Sequence, residues 1–383
     1  MTADSLGPTL ERPRPDALAD TVAGDVAGGV AGGATSDVAG DATLADPRAA
    51  GAPTTRAAPP SIATRTTTIL PRVDTSAGEV RLVTESRARY ETERVLGEGG
   101  MGIVALAHDH DIDRKVALKR VRREVGSHGL ARFAEEVRTI GHLEHPNIIP
   151  IHDVGVDEQG DYFFVMKYVE GQTLEQIIEK LQAGDPQTHA RFTWEARVQV
   201  FIGLLRALAY AHDRGVIHRD IKPANIMVGP YGEVVLMDWG IARPIHGADL
   251  PAQSPTAQET AEAETSTRKR IIQTQSSALV GTPMYMSPEQ ARGEPDLDAR
   301  SDLYSACVVF HELMTLRHYL EDKETMPAIL VGVMGQELPA ASKISTHAHP
   351  AQGSIPAEHA HFIVRGMKKA REARWQSAQQ MIA

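Results

Sequence analysis

The chain has 383 residues with a formal net charge of −10, which makes a general nucleic-acid binder a poor candidate. It has no apolar run long enough to span a membrane, and no basic start followed by an apolar stretch as in a secretory signal. The single cysteine, Cys307, rules out an internal disulfide and lies in an apolar run, so we interpret it as a buried helix residue. A reducing, cytoplasmic location and no nucleic-acid partner are therefore expected for this chain.

Residues 1–88 are rich in Ala, Gly, Thr and Pro and contain few large apolar side chains. Such a composition cannot bury enough surface to offset the entropy lost on ordering the chain. We predict a disordered tail over this range. The threonines at 66–68 are interpreted as part of a linker, with a cluster of phosphoacceptors as the alternative.

From about residue 90 the pattern changes to short apolar segments separated by turns. Strands are predicted at 95–96, 103–107, 115–119, 148–156 and 162–166, with one helix at 133–143. Farther along, helices are predicted at 174–181, 194–213 and 302–316, with short strands at 226–228 and 234–237. The Ala, Thr, Gln and Glu-rich residues 246–275 are predicted to be a flexible insertion. The order indicates an α+β protein, with a small strand-rich part ahead of a larger helical part.

A glycine cluster, Gly97 to Gly102, follows the first predicted strand. Glycines at this spacing let the backbone approach a phosphate closely and present N–H groups to it. A dinucleotide-binding loop uses the same spacing, but there the third glycine opens a helix, whereas residues 103–107 continue as a strand. The pattern therefore favours a glycine-rich hairpin over ATP, with Val104 in the matching apolar position.

Lys119 ends the apolar run 116–119, where a lysine would otherwise only reach solvent. The functional interpretation is a cation held over the α- and β-phosphates, which requires an acidic partner. Glu136 on the following helix is preferred for that partner because of its spacing to His145-Pro146-Asn147. Glu135 is the neighbouring alternative.

The most specific segment begins with His218-Arg219-Asp220 and places Asn225 five residues after the aspartate. At these residues the chain resembles the eukaryotic-type serine/threonine protein kinases of bacteria, the Hanks-type kinases. Asp238-Trp239-Gly240 and Ser287-Pro288-Glu289 match two further motifs of that family, in the right order. The resemblance covers residue 90 to the C-terminus and implies a bilobal kinase fold. Its N-lobe would span 89–167, its C-lobe 172–383, and its hinge 167–171.

The resemblance assigns catalytic roles to Asp220, Lys222, Asn225 and Lys119. Asp220 would accept a hydrogen bond from the substrate hydroxyl, Lys222 would neutralise the transferring phosphoryl group, and Lys119 would hold the α- and β-phosphates. Asn225 and Asp238 would bind Mg²⁺, with Mn²⁺ as the alternative metal. A lysine two residues after the aspartate is typical of serine/threonine rather than tyrosine kinases.

The implied nucleotide site lies between the glycine hairpin and the hinge. Met166 fits the position behind the adenine, and the hinge backbone would read the adenine edge. The residues predicted to contact ATP are Leu96, Gly97, Glu98, Gly99, Gly100, Met101, Gly102, Val104, Ala117, Lys119, Glu136, Met166 and Tyr168.

Further positions resemble structural parts of the family. Glu289 is expected to pair with Arg374, and Asp302 to tie the catalytic loop to the start of a buried helix. Trp239 stands where the family usually has phenylalanine, a larger ring that still has room to pack. The resemblance also implies that the family's last helix continues past Ala383, so attachment to a membrane through a following part stays open.

An arginine beside the catalytic aspartate suggests control by phosphorylation, since it can pair with a phosphate. The candidate autophosphorylation sites are Thr274, Ser276, Ser277 and Thr282. Expected partners are protein substrates, a phosphothreonine-reading domain on the N-terminal tail, and a second copy of the chain in a transient dimer.

Two rival functions share this fold. A pseudokinase acting as a scaffold is disfavoured because Lys119, Glu136, Asp220, Asn225 and Asp238 are all present. A small-molecule phosphotransferase usually lacks the segment 281–289 that shapes a peptide-binding surface. Zinc binding by the nearby histidines 347, 349, 359 and 361 is also disfavoured, because they flank a Pro/Gly loop.

Overall fold

The computed structural model describes residues 67–68, 70, 72–74, 81–83, 87–99, 102–121, 126–239, 243–244, 282–346 and 348–383. The predicted insertion 246–275 and most of the predicted tail lie outside these ranges. So do three of the candidate phosphorylation sites, Thr274, Ser276 and Ser277. Of Thr282, only the backbone is described.

Ordered pairing begins earlier in the chain than the sequence indicated. Strands β1 (Arg72–Asp74) and β2 (Arg81–Val83) form an antiparallel pair inside the segment predicted to be a tail. Thr67 forms a bridge with Ala88, and the Thr68 amide donates to the Arg87 carbonyl over 2.9 Å. Main-chain hydrogen bonds need no apolar side chains, so the composition rule that predicted a tail here missed them.

A cluster around Arg89 joins this segment to the following sheet. The guanidinium donates to both carboxylate oxygens of Asp109, at 3.0 and 3.1 Å, and to Asp153 at 3.1 Å. Tyr90 donates its hydroxyl to the same oxygen of Asp153 over 2.9 Å. The Leu70 amide donates to Asp111 Oδ1 at 3.1 Å, and the other carboxylate oxygen of Asp111, Oδ2, lies 3.3 Å from Arg89 Nε. We refer to these residues as the Arg89 cluster, and sequence reasoning missed it.

The first lobe is a five-stranded antiparallel sheet with one helix, as predicted. The strands follow the order β3-β4-β5-β7-β6 across the sheet. They are β3 (Tyr90–Glu98), β4 (Gly102–Asp109), β5 (Arg114–Val121), β6 (Ile151–Val156) and β7 (Tyr162–Lys167). Helix α1 (Gly126–Gly141) precedes β6. Val116, Leu118, Phe163 and Val165 form a small core under the sheet.

The second lobe is mainly helical, and its bounds match the predicted helices to within a few residues. The longer helices are α2 (Leu174–Gln182), α4 (Trp194–Asp213), α6 (Ala299–Thr315), α7 (Met326–Gly335) and α9 (Ala357–Gly366). The shorter ones are α3 (Pro186–Arg191), α5 (Pro288–Arg292), α8 (Ala341–Ser345) and α10 (Ala378–Ile382). The α+β prediction with two lobes is therefore confirmed.

Helix α6 is the centre of this lobe. Fourteen of its seventeen residues are buried, including Cys307, whose thiol pKa is raised by burial. The interpretation of that cysteine as a buried helix residue is confirmed. The helix begins at the N-cap Asp298, whose side chain accepts the Arg300 amide hydrogen. Helix α4 packs against it through stacked rings of Phe201 and Phe310, with centroids 4.2 Å apart.

Short strands carry the loops of the site. They are β8 (Gln172–Thr173), β9 (Val216–Ile217), β10 (Ile226–Val228), β11 (Val234–Leu236), β12 (Arg243–Pro244), β13 (Ala348–His349) and β14 (Gly353–Ser354). Asn147 joins the two lobes, because its carbonyl accepts the Leu236 amide at 2.8 Å and its side chain donates to the Val234 carbonyl at 2.8 Å. None of the helices in the described ranges is both long and apolar enough to cross a membrane.

Candidate active site

The glycine cluster forms the predicted hairpin between β3 and β4. Gly99 and Gly102 exchange backbone hydrogen bonds of 2.9 and 3.3 Å, and Gly97 lies opposite Val104. A Cβ atom added at Gly97 or Gly99 would meet no atom within 4 Å. The hairpin therefore borders open space of the kind that a phosphate group would need. Gly100 and Met101, at the tip of the turn, lie outside the described residues.

Four of the predicted ATP-contacting residues share one face of the sheet. Val104 lies opposite Lys119 on the neighbouring strand, and Ala117 lies opposite Met166. Ala117 and Lys119 are two residues apart on β5, so their side chains point to the same side. The pairing register thus lines up an apolar patch with a lysine at its end. Tyr168 and the hinge follow directly after β7.

Lys119 is held by acidic groups from two other elements. Its ammonium lies 2.6 Å from Glu136 Oε1 on α1 and 3.7 Å from Asp238 Oδ1 in the second lobe. Glu136 is buried, and this contact selects it over Glu135, which is exposed. Asp238 adopts a left-handed backbone, with φ of 60°, and its side chain is 44% exposed. One lysine therefore connects the sheet, α1 and the loop after β11.

The catalytic-loop residues converge on the Asp220 carboxylate. Lys222 Nζ donates to Asp220 Oδ2 at 2.7 Å. The Asn225 amide nitrogen donates to the same oxygen at 3.1 Å and to the Asp220 carbonyl at 2.9 Å. All three side chains come from the segment between β9 and β10. Asp220 is thus oriented by a cation and an amide, and the sequence motif anticipated each of them.

Asp302 anchors this loop from the first turn of α6, as the resemblance implied. Its carboxylate accepts the amide hydrogens of His218 and Arg219, each at 2.8 Å, and contacts His212 Nε2 at 2.8 Å. Burial by itself would raise the pKa of Asp302, but the hydrogen bonds and charges of His212 and His218 outweigh it and lower that pKa. Sequence reasoning missed His212, because nothing local links it to a residue ninety positions away.

The Trp239 ring is accommodated under the same loop. It is almost fully buried and meets the His218 ring edge-on, with centroids 4.6 Å apart. His218 Nε2 lies 3.0 Å from the Met237 carbonyl, and its Nδ1 lies 3.2 Å from the Asp220 amide. His218 is thus enclosed by backbone groups and an aromatic ring, which indicates a structural role for it.

The predicted pair of Glu289 and Arg374 is confirmed. Two parallel hydrogen bonds of 2.7 and 2.8 Å join them, and the Ser301 hydroxyl donates to Glu289 at 2.7 Å. Burial would raise the pKa of Glu289, but the guanidinium and the hydroxyl outweigh it and hold the pKa below its usual value. This pair connects α5 to the segment that precedes α10.

The residues present fit a hard divalent cation. The side-chain nitrogen of Asn225 donates to Asp220, so the side-chain oxygen is the atom that could bind a cation. The Asp238 carboxylate would supply a second oxygen ligand. Oxygen ligands of this kind suit Mg²⁺. Across the described ranges, no group of three or more His, Cys, Asp or Glu residues forms another metal site. His347, one of the four clustered histidines, lies outside those ranges.

Comparison with known proteins identifies a matching family and several similar proteins. A family model described as protein kinase domain matches residues 90–383. The serine/threonine-protein kinase PknD of Protochlamydia amoebophila is 38% identical over 234 residues, which is 60% of this chain and 23% of that protein. The probable serine/threonine-protein kinase SCO3848 of Streptomyces coelicolor is 34% identical over 299 residues, covering 76% of this chain and 39% of that protein.

A probable serine/threonine-protein kinase PknB of Bifidobacterium longum is 35% identical over 300 residues, covering 76% of this chain and 38% of its own length. The chain therefore spans well under half of the length of each of these curated relatives.

Proposed function

The chain belongs to the protein kinase domain family, beside bacterial serine/threonine kinases, and we propose that it transfers the γ-phosphate of ATP to serine and threonine hydroxyls of proteins. The observation that carries the proposal is a pair of charged clusters formed by the motif residues. On one side, Lys119 lies 3.7 Å from Asp238 under the glycine hairpin. On the other, Asp220 is held by Lys222 at 2.7 Å.

The chemistry asks little of the protein beyond positioning and charge. Asp220 accepts the hydrogen bond of the substrate hydroxyl, whose oxygen forms the new bond to the γ-phosphorus. The bond between that phosphorus and the bridging oxygen breaks, ADP leaves, and the hydroxyl proton passes late to Asp220. Lys222 offsets the negative charge of the transferring group, and Lys119 holds the α- and β-phosphates.

Magnesium is the metal we assign to Asn225 and Asp238, with manganese as the alternative. A bound divalent cation supplies positive charge against the phosphate oxygens. The two oxygen donors that these residues offer, and their place beside Lys119 and Asp220, support the assignment. Both residues offer oxygen atoms, and this disfavours a metal that prefers sulfur or imidazole ligands.

A scaffold without activity is the competing function. It would tolerate the loss of the charged groups, yet the contacts of Lys119 with Glu136 and of Asp220 with Lys222 and Asn225 are intact. Buried and half-buried charges are costly to maintain unless they are used or paired. The chain therefore has paired charged groups at the positions that phosphate transfer requires, and this favours an enzyme.

Regulation and partners belong to the same proposal. Autophosphorylation would act on Thr282 or on the candidate sites at 274, 276 and 277, with a second copy of the chain as a transient partner. A phosphorylated threonine of the N-terminal tail would recruit a domain that reads phosphothreonine. The cytoplasmic location expected from the sequence stays a proposal as well.

The test is transfer of labelled phosphate from ATP, with magnesium, to the chain and to a generic basic protein. Asp220→Asn is expected to lower the rate by about 100-fold or more, because the neutral amide cannot take the hydroxyl proton. Asp213→Asn, an exposed aspartate at the end of α4, is the matched control and is expected to keep the wild-type rate. Equal rates for wild type and Asp220→Asn would overturn the proposal, and mapping the label identifies the phosphorylated residues.

A further inference from the structure

One side-chain amide connects the catalytic loop to the segment that follows the Thr282–Tyr285 turn. Gln290, in α5, donates from Nε2 to the Arg219 carbonyl at 2.8 Å. Its Oε1 accepts the Ser287 amide hydrogen at 2.9 Å. The Gln290 side chain thus uses a donor toward the catalytic loop and its acceptor toward the start of its own helix.

The carbonyl that Gln290 binds belongs to a strained residue. Arg219 has a φ of 71°, a left-handed conformation that costs a residue with a side chain about 1–3 kcal/mol. Such a conformation persists only where the surroundings determine it from several sides. Asp302 holds the Arg219 amide from α6 at 2.8 Å, and Gln290 holds its carbonyl from α5.

The peptide group between Arg219 and Asp220 is held on both sides: its carbonyl accepts the Gln290 hydrogen bond, and its N–H lies 3.2 Å from His218 Nδ1. A rotation of that peptide would swing Asp220 away from Lys222 and Asn225. Because catalysis depends on the angle and distance of the aspartate to the hydroxyl, a displacement of about 1 Å there costs roughly 100-fold in rate.

We propose that Gln290 is a positioning residue for the catalytic aspartate. Its amide binds the Arg219–Asp220 peptide. The position of that peptide therefore depends on the position of the Ser287–Gln290 turn. A shift of the substrate-binding segment ahead of Ser287 is then transmitted to Asp220. The inference rests on the proposed kinase function and adds to it a link between the two segments.

The two functions of the amide can be separated by one substitution. In Gln290→Glu the side chain keeps its shape and still accepts the Ser287 amide hydrogen, as glutamate does in a capping box. It no longer has a hydrogen to donate to Arg219, and a carboxylate now faces a carbonyl oxygen. The helix start is preserved and the loop contact is lost.

The chain offers a matched control in α2. Gln176 forms the same capping box, accepting the Thr173 amide hydrogen at 3.1 Å while the Thr173 hydroxyl accepts the Gln176 amide hydrogen at 3.2 Å. Its side chain is exposed, and both hydrogen bonds of this capping box stay within the start of α2. Gln176→Glu therefore makes the same chemical change at a helix start without breaking a link to Asp220.

The experiment measures kcat and the KM for ATP and for a protein substrate in wild type, Gln290→Glu and Gln176→Glu. We expect kcat of Gln290→Glu to fall about 10- to 100-fold, with the KM for ATP within about twofold of wild type. Gln176→Glu is expected to match wild type. A Gln290→Glu enzyme with a wild-type kcat would overturn the inference, as would an equal loss in both variants.

Hydrogen–deuterium exchange of the peptide covering residues 217–222 gives a readout that does not need activity. Gln290→Glu is expected to raise exchange at this peptide, and Gln176→Glu to leave it unchanged. An unchanged peptide in Gln290→Glu would contradict the inference even if the rate fell. Conversely, a wild-type chain that transfers no phosphate would refute the proposed function, while the exchange result would still decide the role of Gln290.

Discussion

The two sides of the active site are held in different ways. Along the glycine hairpin, β3 is exposed for eight of its nine residues and depends on main-chain pairing with β4. Under the catalytic loop, Asp302, Glu289 and Arg374 are buried. Asp302 accepts two amide hydrogens of the loop, and Glu289 and Arg374 are paired with each other. The difference teaches that the side that would cover the proposed nucleotide is held mainly by main-chain hydrogen bonds along an exposed strand. The side that orients Asp220 is held by buried charged groups, which water cannot reach to replace a lost hydrogen bond.

The largest effect on stability is expected on the buried side. Arg374→Ala removes both guanidinium hydrogen bonds from the buried Glu289 and leaves it the more distant Arg371 guanidinium, at 3.8 Å, as a cationic partner, a change expected to cost about 3–5 kcal/mol in the free energy of unfolding. Thermal and urea unfolding would measure the loss. Arg292→Ala is the control, because Arg292 and Glu294 form a pair that is 43% and 38% exposed, and such pairs contribute about 0–1 kcal/mol. Similar losses in the two variants would remove the contrast.

A smaller effect is expected at the Arg89 cluster, whose arginine lies one residue ahead of the range that the kinase family model matches. Arg89 is 18% exposed, so water can replace part of what it gives to Asp109 and Asp153, and Arg89→Ala is expected to cost roughly 2–3 kcal/mol. Arg94→Ala, at an exposed position on β3, should leave the unfolding midpoint unchanged.

The same reasoning applies to where the domain begins. A chain starting at residue 67 should unfold at the same temperature as the full chain, whereas one starting at residue 90 should unfold at a lower temperature. Equal midpoints for the two truncated chains would show that the Arg89 cluster contributes nothing to stability.

The smallest effect is expected within the hairpin itself. A Cβ atom at Gly102 would overlap the Arg120 carbonyl on β5, so Gly102→Ala should cost about 1–3 kcal/mol through a local shift of β4. Gly99→Ala places its methyl group in open space, and its free energy of unfolding should stay within about 1 kcal/mol of wild type. Urea midpoints of the two variants decide the matter, and a larger loss at Gly99 would contradict this view of the hairpin.

Much of the site was predictable because its motifs are local. The spacing from Asp220 to Asn225 and the lysine between them fall within one loop, so their mutual contacts follow from the sequence. The preference for Glu136 over Glu135 needed only its spacing to His145-Pro146-Asn147. The contacts of His212 with Asp302, and of Gln290 with Arg219, join residues about 70 to 90 positions apart. No local pattern signals those contacts, because they arise from the packing of α4 and α5 around α6.

The backbone pairing ahead of residue 89 was not predicted, for a related reason. Composition measures the apolar surface that a segment can bury, and residues 67–88 have little of it. What holds this segment is backbone pairing and the charges of the Arg89 cluster, whose partners lie 20 and 64 residues farther along the chain. An arginine followed by a tyrosine before the first strand is the one local sign of it.

The sequence by itself determined the class of fold, the order of the elements and the identity of the charged groups, since these depend on periodicity and on short motifs. The tertiary structure alone decided which groups support them: the clamp of Asp302 on the loop, the amide link of Gln290, and the attachment of the segment before β3. Short-range preferences are set by neighbours along the chain. A buried charge or a strained peptide, in contrast, is stabilised by whichever distant group the folded core brings within hydrogen-bonding distance.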